Sequence, residues 1–322
     1  MSMRNFYATL PTEEECKEIF KKDRDSRPNI CPKCGCEHHD WISKRGGMYQ
    51  CKKCHYRQGL KANTVMHHSK LPFQMWYIAM YFIAVAHGTF TAKQLQEELG
   101  INRYMTVWNL AQKIRRALGH RDAKYMLKGE VEADEAHFVT GRPKDCKQLQ
   151  RGAGSERMTK VFVAAESTPV KDPKPNQKSK ACGFIKMAVI PDMKAPTLDA
   201  TAQACIDSSA SIVSDGTGSH VHFPSLFAKY NGQVVKAEDI IKILPWVHIA
   251  ISNAKTYLRA FFGVNEHHLE AYLAAYCYKF NRRNLTDRMA HAVTAMMDCK
   301  NEFIFRPYKP KKKAEPEYKA AA

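Results

Sequence analysis

The first regular pattern of apolar residues lies between residues 70 and 122, where these residues recur at helical spacing. Over Phe73–Tyr81 the large apolar side chains return every three or four residues, which predicts an amphipathic helix. Thr91 is a suitable N-cap for a second helix, and Gly100 separates that helix from a third over Asn102–Leu118. This order is that of a helix-turn-helix DNA-binding module. Three-helix packing units that make no DNA contact share the pattern and remain the alternative.

In the second half of the chain the pattern changes to that of strands. Strands are predicted at Glu130–Arg142, Met158–Ala165, Cys182–Ile190 and Ser211–Gly216. Helices are predicted at Leu198–Ile206, Pro245–Ala260 and His267–Phe280. Three strands, a helix, a fourth strand and then further helices is the order of a ribonuclease H-like α/β domain. We therefore expect an α/β catalytic core preceded by smaller modules.

The charge of the chain points to a polyanionic partner. Fifty Lys and Arg stand against 32 Asp and Glu in 322 residues, and the formal net charge is +18. Contacts from Lys and Arg to phosphate supply most of the non-specific affinity of proteins for nucleic acids. No stretch has the length and apolarity of a membrane span, and no apolar signal core stands at the start. We therefore expect a cytoplasmic protein.

Two cysteine pairs near the N-terminus have the spacing of a zinc site. Cys31 and Cys34 form one pair, Cys51 and Cys54 form the other, and sixteen residues separate them. Four thiolates close all positions of a tetrahedral Zn²⁺ ion, so we expect one structural zinc that takes no part in catalysis. The residues between the pairs indicate a hairpin, which predicts a zinc ribbon. A redox-active dithiol is the alternative.

Basic residues on both N-terminal modules are the candidate DNA contacts. Lys and Arg on a ribbon and on the last helix of a helix-turn-helix suit a phosphate backbone, and the helix Asn102–Leu118 is the expected reader of base edges. The candidates are Lys44, Arg45, Lys52 and Lys53 on the ribbon, and Arg103, Lys113, Arg115 and Arg116 on the helix.

One acidic stretch stands out in this basic chain: Glu-Val-Glu-Ala-Asp-Glu from Glu130, with Asp134 near its centre. Its carboxylates either form a strand face that pairs with nearby Lys and Arg or hold divalent metal ions for chemistry on phosphate. Asp215 ends a later strand and precedes Gly216, which predicts a carboxylate at the carboxyl edge of the sheet, where α/β ligand sites lie.

The order of these features resembles the ISXO-like transposases of bacterial insertion sequences, a branch of the DDE superfamily with a ribonuclease H-like core. The resemblance extends over residues 31–283. It is carried by the cysteine ribbon, the helix-turn-helix, Val-Glu-Ala-Asp-Glu at 131–135, Ser-Asp-Gly at 214–216, and Pro-Trp-Val-His-x3-Ser-Asn-x-Lys from Pro245, ending in Tyr-Lys-Phe-Asn-Arg-Arg.

The resemblance implies catalytic roles for Asp134, Asp215, Asn253 and Lys255. The first three would hold magnesium or manganese, two ions in all, and the lysine would contact phosphate. Most of the superfamily carries Glu at the third position, and an Asn carbonyl can ligate a hard cation but adds no charge. Possible additional site residues are Glu132, Glu135 and His248, with His220 a further candidate near the same edge.

The implied activity is transposition by two-metal phosphoryl transfer, in which a strand is cut at the element's end and the freed 3′ hydroxyl attacks target DNA. The partner would be double-stranded DNA, at transposon ends and target, with the ribbon and the helix-turn-helix reading the terminal inverted repeats. Because two ends must meet, a homodimer or larger assembly on DNA is expected. A domesticated, non-catalytic DNA-binding protein and a stand-alone ribonuclease H-like nuclease are the alternatives.

Five segments are expected along the chain. They are an N-terminal helical segment at 1–29, the zinc ribbon at 30–62, the helix-turn-helix at 70–122, the catalytic domain at 128–285 and a basic tail at 286–322.

Overall fold

A computed structural model describes residues 3–44, 47–141, 155, 157–170, 180–234 and 240–300. Arg45, one of the expected DNA contacts, and the Lys- and Pro-rich end of the chain lie outside these ranges. None of the helices within them is long and apolar enough to cross a membrane.

Helices from both ends of the chain form the first unit. They are α1 (Met3–Ala8), α2 (Glu13–Asp25), α3 (Phe73–Met80), α4 (Ala92–Leu99), α5 (Tyr104–Asp122) and α11 (Arg288–Asp298). A π-helical turn, Tyr81–Val85, continues α3. Large side chains from three of these segments, Phe20, Trp76 and Tyr81, are fully buried in one apolar core. Capping boxes at Thr12 and Thr91 start α2 and α4, because each hydroxyl accepts the N–H that the first turn leaves unpaired.

Helix α11 corrects the expectation that residues 286–322 are a basic tail. Ala292, Val293 and Met296 are buried in the core of the helical unit. Asp298, at the end of α11, forms ion pairs with Arg27, which follows α2. It also pairs with Arg121 in the last turn of α5 and with Lys124 just after that helix. The described part of this segment therefore belongs to the helical unit, whose core it helps to fill.

The zinc ribbon is a three-stranded antiparallel sheet of β1 (His39–Ile42), β2 (Met48–Cys51) and β3 (Arg57–Gly59). Trp41 pairs with Tyr49 across β1 and β2, and their rings are 4.8 Å apart. Tyr49 Oη donates a hydrogen bond to Asp25 Oδ1 at 2.6 Å, which ties the ribbon to α2. The predicted ribbon is thus present and rests on the helical unit.

The predicted α/β core is a five-stranded sheet in the order β6-β5-β4-β7-β8. β4 is antiparallel to β5 and parallel to β7, as expected for a ribonuclease H-like mixed sheet. The strands are β4 (Glu130–Val139), β5 (Met158–Pro169), β6 (Lys180–Ile190), β7 (Ser211–Ser214) and β8 (Lys229–Gly232). The helices are α6 (Ala195–Cys205), α7 (Phe223–Leu226), α8 (Ile240–Ile243), α9 (Pro245–Arg259) and α10 (Glu266–Asn281).

The two faces of this sheet bury different helices because successive side chains of a strand point to opposite sides. Val131 and Ala133 of β4 share a core with α6. Ala136 and Phe138 share a core with α9 and α10. Asp134 therefore belongs to the face that α9 covers.

Helices α4 and α5 follow one another across a short turn, as predicted. Gly100 adopts a left-handed conformation (φ +61°) and ends α4. The Gln96 side-chain amide donates to the carbonyls of Ile101 at 2.9 Å and Asn102 at 2.8 Å, which holds the turn closed. The two predicted helices and their turn are therefore present, while their identity as a DNA-binding helix-turn-helix stays a prediction.

Candidate active site

Strand register brings Asp134 and Asp215 together. β4 and β7 run parallel, and Glu132 pairs with Val213. Asp134 and Asp215 each follow this pair by two residues, and they are close enough for the charge of Asp215 to raise the pKa of Asp134. β7 ends at Ser214, and Gly216 turns the chain away with a φ of +68° that favours glycine. The carboxylate of Asp215 therefore stands at the carboxyl edge of the sheet, next to the acid at the centre of β4.

Burial and neighbouring charge make Asp134 an unusual carboxyl group. It is 9% exposed. Burial raises its pKa to about 7, with the charges of Glu135 and Asp215 acting in the same direction and a hydrogen bond from the Glu135 N–H acting against it. A cation near both carboxylates would offset their repulsion and the cost of burying Asp134.

His220 links the second aspartate to Glu135. Its Nε2 lies 2.8 Å from Glu135 Oε1 and its Nδ1 lies 3.6 Å from Asp215 Oδ1. The ring is completely buried and stacks on Phe223, with centroids 4.6 Å apart. Burial opposes protonation, but the hydrogen bond and charge of Glu135 outweigh it and raise the pKa of His220. Glu135 is thus directed to His220, on the sheet face opposite α9.

His248, on the first turn of α9, faces Asp134. Its Nε2 lies 3.7 Å from Asp134 Oδ2. This nitrogen is buried and has no hydrogen-bond partner among the described residues. Burial lowers the pKa of His248, which favours the neutral imidazole. The histidine was expected only as an additional site residue.

Glu132 caps the helix that carries His248. Its Oε2 accepts hydrogen bonds from the backbone N–H groups of Trp246 at 2.7 Å and Val247 at 3.0 Å. Burial raises the pKa of this carboxyl group against the effect of those two bonds. One of its oxygens is therefore engaged in positioning α9.

Asn253 and Lys255 lie further along α9, and both are exposed. The described contacts do not bring Asn253 to either aspartate. Lys255 Nζ lies 5.6 Å from the centre of the Phe138 ring, beyond Asp134 along β4. The site residues that the structure brings together are therefore Asp134, Asp215, Glu135, His220 and His248.

The four predicted zinc ligands converge. Their sulfur atoms all lie within 4.8 Å of one another, and among the described residues no other set of three or more His, Cys, Asp and Glu does so. Cys31 and Cys54 are 3.6 Å apart, and Cys34 and Cys51 are 3.5 Å apart. Sulfur atoms about 2.3 Å from one tetrahedral ion lie about 3.8 Å from each other, so the cluster fits zinc and is too wide for disulfides.

Backbone N–H groups of Cys54 and Lys53 lower the pKa of the Cys51 thiol to about 6 despite its desolvation, whereas desolvation and the neighbouring thiols raise the pKa of Cys34. A thiolate is the form that binds zinc.

The expected DNA contacts differ in accessibility. Lys44, Lys52, Lys53 and Arg103 are exposed, whereas Lys113 and Arg116 are half-buried. Arg115 was expected to contact DNA, and this expectation is wrong for the described structure. The residue is 1% exposed, and its guanidinium lies 4.0 Å from the centre of the Tyr272 ring. Helix α10 covers this face of α5, so Arg115 joins the helical unit to the catalytic unit.

Comparison with known proteins finds matches for two parts of the chain. Residues 126–281 match the ISXO2-like transposase domain, and residues 11–57 match the transposase zinc-ribbon domain. The ribbon match includes α2, which the Tyr49–Asp25 hydrogen bond joins to the strands and which the predicted limits of 30–62 left out.

A relative supports the same conclusion. Over 174 residues the chain is 27% identical to an uncharacterized protein in transposable element ISH50 of Halobacterium salinarum. The aligned part is 49% of this chain and 56% of that protein. The chain therefore carries a transposase zinc-ribbon domain followed by an ISXO2-like transposase domain, and it spans about half the length of the relative that it matches.

Proposed function

We propose that this protein cuts DNA at the ends of its own element and joins those ends to target DNA. The observation that supports the proposal is the electrostatic proximity of Asp134, at the centre of β4, to Asp215, which directly follows β7 in the mixed sheet. Divalent ions bound by these acids, magnesium or manganese, would supply Lewis-acid activation of the attacking and leaving oxygens of the phosphodiester.

The protein's own groups prepare the site for a polyanion. His220 Nε2 shares a hydrogen bond of 2.8 Å with Glu135, and its Nδ1 lies 3.4 Å from Thr217 Oγ1 and 3.6 Å from the carboxylate of Asp215. Lys255 is exposed on the helix over β4, where its ammonium group can contact a backbone phosphate, as the resemblance implies. The resemblance assigns the third ligand position to Asn253, which is exposed further along α9.

Recognition of the element's ends is assigned to the N-terminal modules. Lys44, Lys52 and Lys53 on the ribbon are exposed to solvent and can contact the phosphate backbone. At the start of α5, Arg103, Tyr104 and Met105 are exposed, and the N-terminal residues of a recognition helix are those that reach base edges. Two ends of the element must be brought together, so the protein acts as at least a homodimer on DNA. This places it in association with the nucleoid.

The test uses the full chain, DNA carrying the element's end, and Mg²⁺ or Mn²⁺. Wild-type protein is expected to give cut ends and joined products. Asp134→Asn and Asp215→Asn are expected to give neither while still binding DNA. Asp207→Asn is the matched control, since among the described residues the side chain of Asp207 contacts Ser209 of its own turn and Lys128.

The products also separate the alternatives. Cutting without joining would indicate a nuclease, and end binding without cutting would indicate a non-catalytic DNA-binding protein. Either result would overturn the proposal.

A further inference from the structure

Phe262, in the turn between α9 and α10, combines an exposed ring with an unfavourable backbone conformation. The residue is 98% exposed, the highest value for a large apolar residue in the described part of the chain. Its φ of +54° lies in the left-handed region, which glycine and asparagine adopt more readily than a bulky residue does. A helix end of this kind needs no large side chain, so neither the turn nor the core accounts for a phenyl ring here.

The neighbours of Phe262 hold the turn in place. The ring of Phe261 packs on that of Tyr272, with centroids 4.6 Å apart. The N–H of Gly141, which follows β4, donates a hydrogen bond of 2.8 Å to the carbonyl of Val264. Backbone strain persists where surrounding contacts enforce it, and here they do so on both sides of the strained residue. These contacts fix the backbone of Phe262 and so direct its side chain into solvent.

Helices α5 and α10 lie side by side and run in the same direction. Trp108 and His268, early in the two helices, have ring centroids 5.0 Å apart. At the other end, Arg282, directly after α10, forms an ion pair of 2.6 Å with Asp122, the last residue of α5. The start of α5 therefore lies beside the start of α10 and beside the turn that precedes it.

Phe262 thus shares a surface with the start of α5, to which contact with base edges is assigned above. The exposed residues of this surface include Arg103, Tyr104 and Met105 at the start of α5, Arg259 of α9 and Glu266 of α10. Two of them are arginines, and three of the exposed side chains, with Phe262, are apolar or aromatic. This combination matches a nucleic acid, whose phosphates are anionic and whose bases offer flat apolar faces.

We propose that Phe262 inserts into the bound DNA and stacks on a base next to the site that α5 contacts. This inference rests on the proposed function, because it names a contact to the same DNA. Phenylalanine is among the apolar side chains that enter between base steps and unstack them, and stacking on its ring requires no particular base. A backbone that is already fixed lowers the entropy cost of this contact. Phe262 therefore distorts the end of the element and does not read its sequence.

The test uses the full chain and a duplex from the element's end that carries 2-aminopurine at successive positions. This base fluoresces weakly when it is stacked in a duplex and strongly when it is unstacked. Wild-type protein is expected to raise the fluorescence at one base step. Phe262→Asn suits a positive φ and is expected to bind the duplex at least about fivefold more weakly, without the rise in fluorescence.

The control variants separate stacking from folding. Phe262→Asn is expected to unfold at a higher urea concentration than wild type because it relieves backbone strain, so its weaker DNA binding cannot come from a damaged fold. Phe262→Trp keeps an aromatic ring and is expected to retain both the affinity and the fluorescence change. Phe184→Ala removes a ring that is 41% exposed near Tyr125, beyond the other end of α5, and is expected to bind the duplex as wild type does.

The outcomes separate this inference from the proposed function. If Phe262→Asn binds the duplex and raises the fluorescence as wild type does, the stacking role is wrong and the proposed function stands. The same holds if wild-type protein binds the duplex without a rise at any position. If Phe262→Asn changes only the oligomeric state of the protein without DNA, the ring belongs to an interface between copies of the chain, which also overturns the inference. If wild-type protein does not bind the element's end, the proposed function itself fails.

Discussion

The carboxylate of Glu132 accepts a hydrogen bond of 2.7 Å from the backbone N–H of Trp246, more than a hundred residues later in the chain. A helix start carries unpaired N–H groups and a partial positive charge, and here a strand residue supplies the acceptor. The bond fixes the height of α9 over β4, so it also sets where His248 stands relative to Asp134.

Replacing Glu132 separates the role of its hydrogen bonds from that of its charge. Glu132→Ala is expected to lower the free energy of unfolding by about 2–4 kcal/mol, because it leaves two buried N–H groups without acceptors and opens a cavity. Glu132→Gln keeps an acceptor and is expected to cost less than about 1 kcal/mol, since burial already raises the pKa of this group towards the neutral form. Urea denaturation measures both values. Equal losses in the two variants would show that charge is the dominant contribution.

In the metal-free protein, the buried carboxyl group of Asp134 is expected to lower the free energy of unfolding once it is ionised. Its pKa rises from 3.8 to about 7 on folding, so the folded state holds this proton more tightly than the unfolded state. The resulting stability is present at low pH and is lost as the pH rises through about 7. Asp134→Asn should therefore stabilise the protein more at about pH 8 than at about pH 5, by roughly 2 kcal/mol.

Denaturation curves at the two pH values, in buffer without divalent ions or chelator, test this prediction. Asp207→Asn is again the control, because the pKa of Asp207 is lowered by hydrogen bonds to Ser209. If Asp134→Asn stabilises the protein equally at both pH values, the burial of an ionised carboxylate is not the cause of the stabilisation.

Zinc is expected to hold the ribbon and to leave the catalytic sheet intact when removed. Cys51→Ser should lower the zinc content from about one ion per chain, because it removes one of four thiolates. Hydrogen exchange should then accelerate in β1–β3, and in α2 through its contact with Tyr49, but not in β4–β6. Cys36→Ser is the matched control, since Cys36 lies next to the cluster but outside it. Faster exchange in β4 and β5 would show that the two units fold together.

Alanine substitutions of Arg103 and Arg115 are expected to affect different properties, DNA affinity in the first case and stability in the second. Arg103→Ala removes an exposed cation and should lower DNA affinity and reduce the slope of log affinity against log salt by about 0.9. Its stability should stay within about 0.5 kcal/mol of wild type. Arg115→Ala removes a buried side chain packed on Tyr272 and should cost about 2–4 kcal/mol of stability without changing the slope.

Fluorescence anisotropy with a labelled duplex over a range of salt concentrations, together with urea denaturation, measures both effects. A stable Arg115→Ala protein with a reduced salt slope would restore Arg115 to the DNA-binding surface.

Local sequence patterns predicted the secondary-structure elements and one complete site, the zinc site. The pairs at Cys31 and Cys51 predicted the zinc cluster because each C-x2-C turn brings two sulfurs together by itself, so only two short segments had to meet. The alternation of side chains around Asp134 and Asp215 likewise predicted strands of the sheet. Because the strand before Asp215 ends at a glycine turn, the sequence also predicted that Asp215 lies at the sheet edge. The resemblance to a transposase was also evident from the order of these motifs.

The tertiary structure decided what long-range packing controls. In the sequence, Arg115 cannot be distinguished from the other basic residues of α5, and the structure shows that α10 covers it. The apolar residues of α11 follow the catalytic unit in sequence, yet they fill the core of the N-terminal helices. Asn253 and His248 both lie on α9, and only the anchoring of that helix by Glu132 turns the histidine towards Asp134. Sequence spacing determines the faces of a helix, but the orientation of those faces depends on contacts with distant residues.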